Sequence, residues 1–252
     1  MAREQKFIIF RQDNETTKPR YERYSVPLTS GMTILEALFY IQDHFDSTLA
    51  FRYSCRGAIC GSCGMTIDKY PRLACKTQIA AIKDIRIPKL PEIVFGEILD
   101  WDKDTEILIE PLPNMKVLKD LIVDMEPFWK FYREVKPYFV GEWKDIAPES
   151  LQSPKEAQSI EHLIYCILCG LCWTCPVSGK NKDYLGPAAL AKGFRFIADT
   201  RVPRAHGEKI LERVKLEDGV PACEKIFACN RVCPKGVRPG TAIKLTRDIL
   251  EG

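Results

Sequence analysis

Apolar positions come in short alternating or clustered runs through the first part of the chain, and at helical spacing through most of the second. Residues 6–11 (KFIIFR) and 21–28 (YERYSVPL) are rich in β-branched and aromatic residues and flank the turn-prone Asp13-Asn14, which predicts a β-hairpin. Thr33 then precedes ILEALFYIQDHF, where Ile34, Leu35, Leu38 and Ile41 share one helical face and Thr33 suits an N-cap. Short strands are predicted at 65–67, 73–75, 85–87 and 107–109. Pro111 and Pro113 end this pattern, so a domain boundary is placed at 113/114. Beyond it a helical stripe (118, 121, 122, 125, 128, 129 and 132) runs through 117–139 with a break near Pro127. Its charges of both signs favour a buried interdomain seam over a membrane-surface helix. Ser153-Pro-Lys-Glu156 has the form of a capping box, and helices are predicted over 186–199, 204–215 and 239–250. The expected fold is α+β, with residues 1–113 a mixed sheet and helix, and residues 114–252 nearly all helical.

Composition narrows the function classes. A chain of 252 residues can bury two cores, and 46% apolar with 28% charged residues is ordinary for a globular protein. The formal charge of +3 gives no basic field of the kind nucleic acid needs. The basic residues between Lys192 and Lys215 alternate with Asp199, Glu208 and Glu212, as on a solvated helical face. No run approaches the ~18 apolar residues of a membrane-spanning helix. Strand-like sequence begins by Lys6 and leaves no room for a signal peptide. The expectation is a protein on the cytoplasmic side, where thiols stay reduced for metal.

Eleven cysteines carry the candidate chemistry. Cys55, Cys60 and Cys63, followed by Cys75, have the Cys-x4-Cys-x2-Cys…Cys spacing of plant-type [2Fe–2S] proteins. Gly57, Gly61 and Gly64 are expected to supply positive φ so that amides point inward. Further on, Cys166, Cys169, Cys172 and Cys175-Pro176 are answered by Cys223, Cys229 and Cys233-Pro234. In two-cluster ferredoxins the last Cys of each such run ligates the other run's cluster. Cys166, Cys169, Cys172 and the crossing Cys233 thus make a [4Fe–4S] set. Cys223, Cys229 and the crossing Cys175 make a set of three, with Ile226 where a middle thiolate belongs, which suits [3Fe–4S]. Structural zinc is the competing reading, but it does not account for seven thiolates divided four and three or for the paired Cys-Pro endings. A disulfide framework fits poorly with an odd number of cysteines and no secretory signal. His44, His162 and His206 are read as surface or packing residues, and no catalytic acid, base or nucleophile is expected.

These motifs, with Arg52-Tyr53-Ser54-Cys55, Pro71-Arg72-Leu73-Ala74-Cys75, Val123-Asp124-Met125, Lys136-Pro137-Tyr138, Gly186-Pro187-Ala188, Arg195-Phe196 and Cys233-Pro234-Lys235-Gly236, make the chain resemble the iron–sulfur subunit of succinate dehydrogenase and fumarate reductase. The resemblance implies a β-grasp [2Fe–2S] ferredoxin-like domain followed by a helical bacterial-ferredoxin-like domain. It implies partners too: an FAD-bearing flavoprotein subunit where succinate and fumarate interconvert, and membrane-anchor subunits, with or without haem, near which quinone binds. Electrons would pass singly through [2Fe–2S], [4Fe–4S] and [3Fe–4S], in a peripheral protein on the cytoplasmic face of a prokaryotic inner membrane. A fumarate reductase fed by a quinol or a non-quinone donor would use the same wire. The sequence departs from the family in two ways. Two residues instead of three separate Cys172 from Cys175, and Val177-Ser178-Gly179 and Glu224 replace the tryptophan and histidine of ubiquinone-using members. Quinone is expected near Pro176 and Ile226. Trp173 either helps wall a pocket suited to a naphthoquinone such as menaquinone or only shields a cluster from water.

Overall fold

The computed structural model describes residues 3–82, 100–140 and 150–252. By packing, the chain divides into two compact units, Met1–Asp124 with Ile167–Leu171, and Met125–Cys166 with Cys172–Gly252. The first unit therefore runs on beyond the 113/114 position suggested by Pro111 and Pro113.

In the first unit, β1 (Glu4–Arg11) pairs antiparallel with β2 (Arg20–Pro27) and parallel with β5 (Glu106–Glu110). The remaining strands are β3 (Gly64–Ile67), antiparallel to both β5 and β4 (Tyr70–Leu73), giving the sheet order β2-β1-β5-β3-β4. Central β1 is buried from Phe7 to Arg11, as its continuous apolar run requires. Helix α1 (Ile34–His44) buries Ile34, Leu35, Ala37, Leu38 and Ile41, and Thr33 and Glu36 close a capping box at its start. The arrangement is the β-grasp ferredoxin type.

Two expectations change here. The strand expected at 73–75 lies earlier, at Tyr70–Leu73, and Ala74 instead ties back through its N–H to Cys63 O at 3.0 Å. The helix expected from 117 is preceded by a hairpin, β6 (Val117–Lys119) and β7 (Ile122–Val123). A buried charge cluster overrides the helical periodicity there. Asp120, with φ 45°, receives the backbone N–H of Gln12 and of Ala50, each at 2.9 Å, and Arg11 Nε at 3.1 Å. The Arg11 side chain, 0% exposed, also donates to Glu22 at 2.7 Å, Tyr24 at 2.9 Å, Thr48 at 3.0 Å and Asp46. The strand expected at 85–87 lies outside the described residues.

The second unit is helical. Helix α2 (Glu126–Glu134) begins with Pro127 in its first turn, where a missing N–H costs nothing, so this proline starts a helix rather than interrupting one. Then follow α3 (Pro154–Ile164), capped by Ser153 and Glu156, α4 (Pro176–Lys180), α5 (Pro187–Ala198), α6 (Arg204–Val214), α7 (Ala228–Val232) and α8 (Pro239–Glu251). Helix α5 is buried along most of its length and packs on α2, α3, α6 and α8. Gly193 permits the approach of α6, since a Cβ there would stand 3.2 Å from Ile210.

Removing one partner of a buried, hydrogen-bonded ion pair leaves the other charge uncompensated and costs about 3–5 kcal/mol. Arg11→Met should destabilise the first unit by about that amount, read by denaturant unfolding followed by circular dichroism. Hydrogen bonds from Thr48 and Arg11 hold the Asp46 carboxyl well below the ordinary carboxylate range. Such a group adds stability that is present above its unfolded value, near 3.9, and lost as pH falls towards the native one. Wild-type stability should therefore hold from about pH 7 to pH 5 and fall below about pH 4, with a shallower fall in Arg11→Met.

Candidate iron–sulfur centres

The first centre is a surface loop. It leaves Ala50, pinned by Asp120, and passes Phe51 and Tyr53, which meet Phe39 of α1 edge-on at 5.4 and 4.6 Å. Arg56 lies over the Phe39 ring at 4.8 Å. From there the backbone turns its N–H groups onto sulfur. Cys55 Sγ accepts from Gly57 at 3.4 Å, Ile59 at 3.3 Å and Cys60 at 3.2 Å. Cys60 Sγ accepts from Cys55 at 3.4 Å, Cys75 Sγ from Ala58 at 3.3 Å, and Cys63 Sγ from Cys75 at 3.5 Å. All four predicted ligands thus accept N–H to sulfur bonds, the environment that stabilises thiolates bound to iron.

The glycines act differently from expectation. Of the three, Gly61 alone has positive φ (75°), while Arg56 (53°) and Ala58 (57°) supply the other left-handed turns. Gly61 and Gly64 instead admit a neighbour. A Cβ on Gly61 would stand 2.8 Å from Cys169 Cα and Cβ, and one on Gly64 3.1 Å from Cys169 O. Cys169, with segment 167–171, is in this way seated on the first loop within the first unit.

In the second unit the chain brings distant cysteines together. Cys166 and Cys233 pack on one apolar cluster formed by Leu163, Ala191, Phe194, Val237 and Ala242. Cys233 Sγ accepts the Val237 N–H at 3.4 Å, and Tyr132 and Lys192 lie within electrostatic reach of Cys166. Cys175, Cys223 and Cys229 form a second group: charge on Cys223 is felt at Cys175, and charge on Cys175 and Cys223 is felt at Cys229. Cys175 accepts N–H bonds from Val177 and Ser178, and Cys229 from Gly240 and Asn230. The short spacing between Cys172 and Cys175 is taken up by a 3-10 turn over Leu171–Thr174, with Cys175 N to Cys172 O at 3.2 Å.

The two runs also repeat each other in backbone. Leu168 (φ 53°) and Gly170 (77°) stand two and four residues after Cys166, and Lys225 (58°) and Phe227 (57°) two and four after Cys223. Ile226 consequently occupies the place in its turn that Cys169 has in the first.

Titration behaviour follows from burial. The Cys63 and Cys229 thiols are pushed up to about 12, in each case chiefly by burial. For exposed Cys60 the burial effect is outweighed by hydrogen bonds from Ser62 and the Cys55 N–H, which bring it to about 6. A metal binding to such thiols displaces their protons, so the sites close with metal. Among the described residues no three His, Cys, Asp or Glu converge as ligands of one ion, whereas a cluster spreads its thiolates over several irons. The Ser178 hydroxyl is buried without a hydrogen-bond partner beside Cys175. That is the orphan expected where cluster sulfide completes the acceptors. The residues present fit iron–sulfur groups.

Sequence reading did not find Arg56 and Ala58 as turn residues, Asp120 as the anchor, or Tyr184, a fully buried ring within electrostatic reach of Cys175, Cys223 and Cys229; none lies in a cysteine motif's ligand positions. Trp173 proves to be a core residue. It is 4% exposed, stacked with Phe131 at 5.8 Å and edge-on to Phe128 at 5.9 Å, and a Cβ at Gly186 would collide with its indole. Pro176 and Ile226 are half-buried. His206 is buried against Lys136 O, at 3.1 Å from Nε2.

Residues 6–130 match the family described as 2Fe-2S iron-sulfur cluster binding domain, and residues 162–237 the 4Fe-4S dicluster domain. Fold and thiols together define an iron–sulfur electron-transfer protein of two ferredoxin-type modules. A fumarate reductase iron–sulfur subunit of Mycobacterium tuberculosis is 38% identical over 231 residues, 90% of this chain and 84% of that protein. The chain belongs to the family of iron–sulfur subunits of fumarate reductase and succinate dehydrogenase, and its role is electron transfer within such an oxidoreductase. In fold it is similar to a chain of the Mycobacterium smegmatis Sdh1 complex in its apo form, with a TM-score of 0.78 and 21% identity over 99% of this chain and 96% of that one. A hypothetical protein from Helicobacter pylori gives a TM-score of 0.56 at 16% identity, over 99% of this chain and 40% of that one.

Gly61→Ala tests the seating of Cys169. A left-handed φ costs a non-glycine residue about 1–2 kcal/mol, and the added methyl meets Cys169 backbone. Bound iron and sulfide should fall, with the [4Fe–4S] resonance reduced as well as the [2Fe–2S] one.

Proposed function

We propose that Cys55, Cys60, Cys63 and Cys75 hold a [2Fe–2S] cluster, Cys166, Cys169, Cys172 and Cys233 a [4Fe–4S] cluster, and Cys175, Cys223 and Cys229 a [3Fe–4S] cluster. With these the chain carries electrons between the flavin of an FAD-bearing flavoprotein subunit and quinone at a membrane anchor. The observation that carries this reading is the grouping of Cys175 with Cys223 and Cys229, apart from the apolar cluster that holds Cys166 and Cys233. This grouping supports the crossed pairing of a two-cluster ferredoxin. When bound, the clusters supply one-electron redox chemistry. The protein's part is to direct N–H donors at sulfur, exclude water from the buried thiols and leave the Cys55–Cys60 loop at the surface, where both cysteines are exposed.

No helix among the described residues is long and apolar enough to cross a membrane, which fits peripheral attachment through anchor subunits on the cytoplasmic face. Quinone is proposed near Pro176 and Ile226, with Trp173 supporting that wall from inside the helical unit. The same arrangement serves a fumarate reductase fed by a non-quinone donor, and rates with quinols against soluble donors separate the two.

Electron paramagnetic resonance of the intact complex through a redox titration tests the reading and should resolve one cluster of each type. Ile226→Cys should convert the three-iron resonance to that of a [4Fe–4S] cluster. A wild-type complex without a three-iron signal, or a mutant that keeps it unchanged, rejects the assignment. Colourless, zinc-loaded protein would reject iron–sulfur chemistry altogether.

A further inference from the structure

The apolar stripe read over 117–139 divides in the structure. Phe128 and Phe131 of α2 are buried, whereas Tyr138, Phe139 and Val140, just beyond it, are 53%, 51% and 36% exposed. Three consecutive large apolar residues in water mark a surface that something else covers. The backbone holds them there. Lys136 takes a left-handed φ of 45°, which an L-residue adopts only at a cost. Its carbonyl accepts from Tyr138 N at 2.9 Å and stands 3.1 Å from Nε2 of the buried His206. Cations lie against the strip. Phe139 meets Phe196 edge-on, ring centroids 5.5 Å apart, and the guanidiniums of Arg195 and Arg201 stand 5.0 and 5.4 Å from its ring. Both pair with one carboxylate, Asp199, whose side chain is fully buried, so this group keeps an excess of positive charge. Lys136 is exposed and has no carboxylate partner among the described residues.

We propose that Tyr138, Phe139 and Val140 dip into the headgroup layer of an anionic lipid bilayer, with Lys136 and the Arg195–Arg201 pair drawn to the lipid phosphates. Aromatic rings, above all one with a polar tip such as tyrosine, settle at the boundary between membrane and water. Basic side chains beside them add an attraction to anionic lipid that salt screens. Size favours a bilayer over another protein. A stable protein interface covers roughly 800 Å² on each partner around a buried apolar centre, which three side chains rimmed by cations do not supply. A lipid surface needs only a shallow apolar wedge. The contact deepens the peripheral attachment proposed above, on which it rests only for the presence of a membrane.

The test floats the whole chain, purified with its iron and sulfide, with vesicles of phosphatidylcholine alone or with phosphatidylglycerol added. The wild-type chain should bind the anionic vesicles, less so as salt rises. Phe139→Ser should weaken that binding about tenfold, the worth of burying half a phenylalanine ring, with iron content and circular dichroism unchanged. Lys136→Gln should weaken it several-fold, and on the anionic vesicles only. Should Phe139→Ser fail to fold, Val140→Asp, at the end of the strip, reads the same loss. A wild-type chain that leaves anionic vesicles unbound, or folded variants that bind as wild type does, overturn the inference. A Phe139→Ser complex that loses a subunit while its chain still binds vesicles like wild type marks a protein partner and overturns it as well. The underlying attachment is tested apart from this. If the chain binds no vesicles yet co-purifies with membrane subunits, the lipid contact falls and attachment through the anchor stands.

Discussion

Sulfur that binds iron in a protein is negatively charged and partly withdrawn from water, so nearby N–H groups must be turned towards it. Most other features of this chain follow from that demand. Around Cys55 it puts Arg56 and Ala58 into left-handed conformations, which L-residues adopt at a cost of about 1–2 kcal/mol each. Such a loop persists only if its ends are fixed by stronger interactions. One end is fixed by Asp120, which holds Ala50 and Gln12 through their N–H groups and is itself held by Arg11. The other is fixed by Ala74, bonded to Cys63 O. The buried ion cluster is therefore the brace on which the loop geometry depends, over and above its contribution to stability.

The helical unit meets the same demand with different means. Cys229 takes N–H groups from the start of α8 and from Asn230, and Cys175 takes them from the start of α4. Gly240 allows the close approach, since a Cβ there would meet Phe227 at 2.8 Å and Cys229 Sγ at 3.3 Å. Burial, with charge on neighbouring thiols, raises the proton affinity of Cys175 and Cys229. Under the proposed assignment a metal cluster would share the charge of these thiolates.

A chain whose task is to carry electrons needs neither a general acid nor a nucleophile, and the polar side chains here fit that economy. His206 bonds to a backbone carbonyl and His44 stacks on Tyr40 at 4.0 Å. The aromatic residues of α2, with Trp173, fill the core of the helical unit. Chemistry is delegated to inorganic groups, and selection acts on where donors, apolar walls and exposed cysteines stand around them.

The cysteine spacings, the Cys-Pro endings and the apolar runs were enough to read both ferredoxin modules, the N-cap at Thr33 and the capping box at Ser153, because these are local patterns with a fixed period or offset. Other features were decided by tertiary structure. The stretch from Val117 carries helical periodicity, yet becomes a hairpin because Asp120 is captured by Arg11, Gln12 and Ala50 from far along the chain. Gly64 is needed for the passage of Cys169 and not for its own φ, and Trp173 is internal because Phe128, Phe131 and Gly186 enclose it. Tyr184 had no signature at all. Its burial beside Cys175, Cys223 and Cys229 comes from packing between loops distant in sequence, which leaves no trace in the periodicity of either segment.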